Sequence, residues 1–483
     1  MILVYGAYGY TGRLICRQLE SLNFNFVEAG RSPEKMPKGG RSFSLDDPAA
    51  VKDALTDISL VVNCAGPFQL TGVPLARAAV ENHAHYLDLA GEVPEHLALS
   101  SLHQMAQEAG VVVMPGAGFG ILPTDLLLAK AASQVPGVEE AELVYQTVGG
   151  ASRGTLGTVL GDIHRPGVRR EEGSLEEERV AEKRRYVDFG DGPILAISNP
   201  WRADLAHSRS PTLRTYTAFP GPVVFLMKNG HRLAGVLRSR LFHSFLQKLP
   251  DGPGAKQRER GATRVWAEVS GGGDRRACRL IGPEAYDFTA QAVAHAAGEL
   301  LNGSFQPGYR APSEVLGPEF LDRFETRSDC FPVPHERPWP AEFQPNDCPV
   351  YSWNLGLLEA PVSRVWDLLV DAPGWPRFYS NARNIKVNSE SSKLGLGVSF
   401  TWRTFGVPVS CRVTEWEPGR CLAWQGEGLG STGYHRWRLE PNGEGCVVVT
   451  DEVQKGPLVS LLAPILTRGL LYFHQRWIEG LGN

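Results

Sequence analysis

Residues 1–12 read MILVYGAYGYTG, an apolar strand running straight into a turn punctuated by Gly6, Gly9 and Gly12. Residues 2–5 are strand-like, and residues 11–22 place Leu14, Ile15, Leu19 and Leu22 at helical spacing. A glycine turn between strand and helix lets backbone N–H groups approach a dinucleotide pyrophosphate at the helix N-terminus. We therefore expect Gly6, Tyr8, Gly9, Tyr10, Thr11 and Gly12 to line a cofactor cradle. The pattern is shared with other nucleotide-binding folds and with structural glycine turns.

The second strand, residues 25–29, ends at Gly30, Arg31 and Ser32, near the place where this fingerprint puts its ribose reader. A carboxylate there would accept a hydrogen bond from the 2′-hydroxyl of NAD. Arg31 instead suits a 2′-phosphate, with Ser32 as a second donor and Lys35, Lys38 and Arg41 adding positive charge. The expected cofactor is NADP. Glu28 stands three residues before Arg31, and as the strand-end residue it would reverse that preference. Loops also collect solvated charge without a ligand.

At 483 residues the chain exceeds the usual single core, so two or three domains are expected. Its 42% hydrophobic and 21% charged content is that of a soluble globular protein, and a net charge of -4 gives no global reason for nucleic-acid binding. The first strand starts almost at Met1 without a charged and apolar leader, so no cleaved signal peptide is expected. The eight cysteines are scattered, and no His/Cys set has zinc-ligand spacing. Reduced thiols, no metal and a cytoplasmic location are expected.

Strands and helices continue to alternate: strand 58–64, helix 73–82, strand 85–89, helix 94–109 and strand 111–114. This is the α/β pattern of a doubly wound parallel sheet. Ligands of such sheets bind beyond the carboxyl ends of the strands. Asn63, Ala65, Gly66, Pro67 and Phe68, then Asp88 and Gly91, then Gly118 and Asp125 should converge on one crevice.

Residues 61–68 (VVNCAGPF), 85–92 (HYLDLAGE) and 115–127 (PGAGFGILPTDLL), together with GAYGYTG and AGRS, resemble the saccharopine dehydrogenase-like oxidoreductases. Within that family the likeness is to the branch of trans-acting enoyl reductases of lipid and polyketide pathways. Weaker matches run through residues 154–155, 252–261, 282–290 and 307–317. The resemblance implies an NADP-binding Rossmann domain over residues 1–130 and a mixed α/β substrate domain over 131–324, with a helix returning to the first half. Strands 140–148, 263–270 and 277–281 and a helix over 286–301 agree with that reading. Residues 169–185 are a dense run of mixed charge, expected as an exposed helix or loop. Residues 222–249 are apolar and basic together, with Lys228, Arg232, Arg238 and Arg240. That segment reads as a cover over a greasy substrate, a peripheral membrane contact, or an ordinary packed helix.

None of the tyrosines has a lysine four residues later, which disfavours the short-chain dehydrogenase arrangement. The catalytic candidates in the crevice are Tyr86, Asp88 and Asp125, with Tyr86 as acid and Asp88 as its orienter. Glu92, Thr124 and Thr155 lie near them in sequence logic. A strand-end aspartate equally caps the next helix or braces a turn.

Residues 325–349 hold prolines at 332, 334, 338, 340, 345 and 349 without an apolar period, as an extended linker does. Residues 350–483 then read as strand, two helices, six strands and a long helix from Pro457. Glu359 to Asp371 (EAPVSRVWDLLVD) and Trp375 to Asn381 (WPRFYSN) resemble the START-like polyketide cyclase and lipid-transport superfamily, an α+β helix-grip fold. The resemblance implies a cavity for a hydrophobic small molecule, lined by Leu458, Leu461, Leu462, Ile465, Gly469, Tyr472, Phe473 and Trp477. A solid core would show the same stripe. Arg403, Arg412, His435 and Arg436 are candidate polar anchors, half of which should face away by strand alternation. The chain reads as an NADP-dependent reductase of a hydrophobic biosynthetic intermediate, or as a carrier that senses NADP(H).

Overall fold

The computed structural model describes residues 1–150, 166–219, 223, 224, 227 and 250–482. Thr155 and the basic positions of residues 222–249 lie outside them. The chain divides into two compact units: Met1–Glu182, Ile197–Gly272 and Cys278–Asp329 in one, Lys183–Ala196, Gly273–Ala277 and Cys330–Asn483 in the other. Residues 183–196, 273–277 and 330–349 thus group with the C-terminal unit.

In the first unit β1 (Ile2–Tyr5), β2 (Phe26–Gly30), β3 (Arg41–Ser42), β4 (Leu60–Asn63), β5 (His85–Asp88) and β6 (Val112–Met114) form one parallel sheet. Its order is Gly308–Tyr309, β6, β5, β4, β1, β2, β3. Ile2, Leu3 and Val4 are buried, as strands covered on both faces must be. The chain leaves β1 toward β2 on one side and later fills β4 on the other, so the loops after β1 and β4 part there and open a crevice.

The helices are α1 (Tyr10–Ser21), α2 (Pro48–Ala54), α3 (Phe68–Glu81), α4 (Val93–Ser100), α5 (His103–Ala109) and α6 (Leu122–Ala132). The helix expected over 94–109 is broken in two. Ser100 and Ser101 turn their hydroxyls onto the carbonyls of Leu97 and Ala98, competing with the helical ladder where α4 ends. α3 starts at Phe68, ahead of the expected 73, and tolerates Pro74 within its early turns.

Beyond α6, β7 (Glu140–Val148) has two partners in a second sheet. One is β10 (Thr212–Thr217), parallel to it, and the other is β11 (Ala262–Gly271), antiparallel. The charged run from 169 is not a helix or open loop at its start. It is the hairpin of β8 (Gly167–Glu171) and β9 (Ser174–Glu178), with Arg169 opposite Glu176 and the ions 2.8 Å apart. Glu172 and Gly173, at φ 47° and 83°, make the tight turn such a hairpin needs. Cross-strand charge pairing had hidden the strand period. The long helix α7 (Ala285–Asn302) lies against α1, where the Tyr10 and Tyr286 rings meet edge to face at 5.1 Å.

Six cysteines are free thiols, whereas Cys278 and Cys330 are disulfide-bonded, so the expectation of reduced thiols throughout does not hold. Neither residue has a cysteine at short spacing, and local sequence carried no sign of it.

The second unit carries an antiparallel sheet that grips a long helix. Its elements are β12 (Val350–Leu358), α8 (Val362–Val370), β13 (Arg383–Val387), β14 (Ser399–Thr404), β15 (Val407–Glu417), β16 (Cys421–Gly428), β17 (Ser431–Asn442), β18 (Gly445–Lys455) and α9 (Pro457–Gly482). The strand order is β12, β18, β17, β16, β15, β14, β13. α9 crosses β12 so closely that a Cβ on Gly356 would stand 2.2 Å from the Ile478 side chain. Trp477 of α9 stacks on Tyr379 at 4.1 Å and meets Trp375 and Trp437 edge-on at 4.9 Å. α9 is long and apolar enough to cross a membrane by length and composition, but Trp477, Ile478 and Leu481 seat in this core.

The proline-dense segment is not an open spacer in its second half. Phe343 and Cys348 are buried against Ala423, Tyr434 and Val453, which makes residues 335–348 a strap over the sheet face opposite α9.

Candidate functional site

The cradle at the end of β1 is built by close approach. Gly6 has φ +84°, and a Cβ there would lie 2.9 Å from the Ala65 nitrogen. A Cβ on Gly12 would lie 2.4 Å from the Gly6 carbonyl oxygen, so helix and turn touch only because Gly12 has none. Gly9 is the N-cap of α1 and no side chain caps that end, leaving its first N–H groups, on Tyr10, Thr11 and Gly12, for an anion. These are the features a pyrophosphate cradle requires, and the residues fit the group.

Arg31 follows β2 directly and is exposed, while Glu28 sits inside the strand opposite Val4. The Tyr8 ring packs on Gly30, its hydroxyl reaches Ser32 Oγ at 3.5 Å, and the Lys35 ammonium stands 5.3 Å from the ring centroid. Arg41 is turned away, donating to the carbonyl of Ala54 at 2.6 Å. Tyr10 is committed elsewhere too: its hydroxyl donates to the Pro253 carbonyl at 2.5 Å and accepts from Arg258 at 3.2 Å. Its backbone is what remains for a cofactor. Arg31→Ala is expected to weaken NADPH binding by about tenfold or more and to leave NADH binding unchanged, as measured by calorimetric titration of both.

The expected crevice residues meet in one buried chain of hydrogen bonds. Asn63 donates to Tyr86 Oη at 3.0 Å and accepts from the Ala65 amide at 3.0 Å. Tyr86 donates to Asp88 Oδ2 at 3.0 Å, and Asp88 Oδ1 accepts from the Ala90 and Gly116 amides at 3.0 and 3.1 Å. Asn63, Tyr86 and Asp88 are each 0% exposed. Burial pushes the Asp88 carboxyl up to about 6, against its hydrogen bonds, and drives the Tyr86 phenol well above its ordinary value. This buried chain of bonds ties together the loops after β4, β5 and β6. Those loops carry Ala65, Gly66, Pro67 and Phe68, then Gly91, then Gly118. Gly118 packs 3.2 Å, at an imagined Cβ, from Thr289 of α7.

Asp125 is likewise a brace. Its carboxylate accepts from the Ser313 amide at 2.7 Å and pairs with His207 Nε2 at 3.3 Å. Burial alone would raise its pKa; the His207 charge and the hydrogen bonds hold it below the ordinary value. Around it lies a polar group that local sequence did not reveal. Arg202 donates to Asp204 at 2.9 Å, to Thr124 Oγ1 at 2.7 Å and to the Gly120 carbonyl at 2.6 Å, and its guanidinium covers the Tyr145 ring at 4.1 Å. His96, pushed down to about 3 by burial and by His207, stacks on His207 at 5.5 Å. Glu92 is half-buried and its Oε2 accepts from the Gly91 amide at 3.0 Å.

The second unit holds a cavity of about 330 Å³ between the curved sheet and α9. Tyr379, Trp402, Trp424 and Trp477 form much of its wall, with Leu458 and Leu462 from α9. Leu461 and Ile465, expected in the lining, are 77% and 70% exposed, and Tyr472 also faces outward. Phe473 and Gly469 pack against Phe405 instead. The helical period explains the split: the inward stripe of α9 is Leu470, His474, Trp477 and Leu481. Of the expected anchors only His435 faces the cavity; Arg403 and Arg412 are exposed, and Arg436 lies buried on the opposite face with Asp451.

Two polar residues beside His435 were missed. Glu452 Oε2 lies 3.2 Å from His435 Nδ1 and 3.2 Å from His474 Nε2. Burial pushes the His435 imidazole down to about 3. Burial would raise Glu452, but the two histidines and Gln454 hold it down at about 2.

Residues 2–114 match the family described as saccharopine dehydrogenase NADP binding domain, and residues 357–473 that of polyketide cyclase / dehydrase and lipid transport. The saccharopine dehydrogenase-like oxidoreductase of Rattus norvegicus is 28% identical over 181 residues, 32% of this chain and 42% of its own length. The lipid droplet localized protein of Caenorhabditis elegans is 28% identical over 146 residues, 26% of this chain and 34% of its own length. The chain spans less than half the length of the curated relatives it matches. A solved hypothetical protein from Helicobacter pylori is 27% identical with a TM-score of 0.30, covering 31% of this chain and 96% of that one. With a glycine cradle at one end and a helix-gripping sheet at the other, the chain joins a saccharopine dehydrogenase-type NADP-binding domain to a polyketide cyclase and lipid-transport-type domain.

Proposed function

We propose that the chain is an NADPH-dependent reductase of a C=C, C=N or C=O bond in a hydrophobic acyl, polyketide or terpenoid-type intermediate, akin to the trans-acting enoyl reductases. In this reading the C-terminal domain binds or cyclises the same intermediate. The observation that carries it is the tryptophan-walled cavity of about 330 Å³ in a polypeptide that also holds an NADP cradle. A polar amino diacid, the substrate of a true saccharopine dehydrogenase, would leave its charges desolvated in such a wall. The mouth carries Phe405, Leu429 and Leu458, all exposed, an apolar rim suited to a greasy ligand arriving from a lipid phase. The name of the Caenorhabditis elegans relative fits that rim.

NADPH supplies the hydride, while the chain orients it and excludes water. The full chain incubated with NADPH deuterated at the nicotinamide C4 and an extract of hydrophobic metabolites is expected to move deuterium into one of them. NADPH binding without label in any metabolite would overturn the reductase reading. It would leave the carrier reading, which the burial of Tyr86 and Asp88 favours because neither offers an acid at the crevice.

A further inference from the structure

We infer that His435, Glu452 and His474 form a divalent metal site of the zinc class inside the C-terminal cavity, with its remaining coordination positions turned toward the bound ligand. This goes beyond the reductase reading and stands whether or not hydride is transferred. The donor set, two imidazoles and one carboxylate, is one that open zinc sites use. The three ligand atoms lie within 4.8 Å of one another, with two of the separations at 3.2 Å. Donors about 2.0–2.2 Å from one tetrahedral ion stand roughly 3.3 Å apart, so little movement is needed.

Each donor is also braced from behind, as metal ligands are. His435 Nε2 bonds Thr450 Oγ1 at 2.8 Å, His474 Nδ1 meets Ser352 Oγ at 3.4 Å, and Glu452 Oε1 accepts from Gln454 at 2.6 Å. The elements fix this convergence: His435 and Glu452 face each other in the β17–β18 register, and His474 comes down from α9.

The surroundings of Glu452 agree. Among the described residues, Glu452 has two imidazoles and a carboxamide as its neighbours, while Arg436 and Arg438 are spent on Asp451 on the other face. The metal-ligating group among the described residues ends at three, which leaves the open position of a reactive rather than a purely structural site. A carbonyl or enolate oxygen of a hydrophobic ligand would fill it.

The full-length protein, stripped with a chelator and dialysed, is titrated with Zn²⁺ by calorimetry and with Co²⁺ by visible absorption. One equivalent per chain is expected, with the d–d bands of a four- or five-coordinate Co²⁺ ion bearing nitrogen and oxygen ligands. Glu452→Gln and His474→Gln should each weaken binding by about 100-fold or more, and Thr450→Val, which keeps all three ligands, by roughly 10–100-fold. Should either ligand variant fail to fold, Thr450→Val decides. Wild-type protein that takes up no stoichiometric metal would overturn the inference, as would uptake that all folded variants leave unchanged.

Discussion

Gly12→Ala is expected to remove NADPH binding, with affinity falling about 100-fold or more, while the C-terminal domain stays folded. The added methyl would sit 2.4 Å from the Gly6 carbonyl oxygen and 2.9 Å from Ala7 Cα and its carbonyl oxygen, all of them backbone atoms. None of these can swing aside as a side chain would, so α1 must move off the end of β1. Overpacking of this kind costs about 1–3 kcal/mol in stability. The larger effect is on binding, because the N–H groups at the start of α1 must point together at one pyrophosphate. Gly91→Ala is the contrasting substitution: a Cβ there meets nothing within 4 Å, and the fold should be unaffected. Titration of both variants with NADPH, beside the near-ultraviolet circular dichroism of the tryptophans, checks the outcome. Gly12→Ala protein that binds NADPH as the wild type does would show that the cradle is not built on this contact.

The cradle was legible because its signal is local: strand, three glycines and an amphipathic helix occur within some twenty residues. The same holds for the strands and the closing helix of the C-terminal domain. What a strand-end side chain faces is set by neighbours far away in sequence, and there reading by position failed. Asp88 stands where a crevice carboxylate should, yet its partners are the amides of Ala90 and Gly116 and the hydroxyl of Tyr86, so it faces inward. Tyr86 and Asp88, two apart on β5, share one face of the strand and one fate. His435 was one of four anchors that the strands offered, and alternation alone did not select it; Glu452 requires the hairpin register and His474 requires the rotation of α9 about its axis. Arg202, Asp204 and His207 belong to the same class, since their contacts with Thr124 and Asp125 span about eighty residues. The strap over residues 335–348 was misread because proline density speaks of extension, and an extended segment can pack as well as span.

Asp451→Ala is expected to be the most destabilising single change in the C-terminal domain, at about 3–5 kcal/mol. Asp451 is 1% exposed and holds two guanidinium groups, Arg436 Nε on Oδ1 at 3.0 Å and Arg438 Nη2 on Oδ2 at 2.6 Å. Both arginines are themselves buried, and each reaches on to the strap, Arg436 to the Arg337 carbonyl and Arg438 to the His335 carbonyl, both at 3.0 Å. Arg436 also lies under the Trp339 ring at 4.4 Å. Removing the carboxylate leaves two buried cations repelling one another without the anion that bridges them, which is far worse than lacking the trio altogether. Replacing Arg436, Arg438 and Asp451 together by leucine should therefore cost less than Asp451→Ala alone. Eight of the eleven tryptophans lie beyond residue 350, so denaturant unfolding followed by tryptophan fluorescence reports mainly on this domain. Loss of the strap should show separately as faster proteolysis between residues 335 and 348. An Asp451→Ala transition within about 1 kcal/mol of wild type would mean that water reaches the arginines and that the strap does not seal this face.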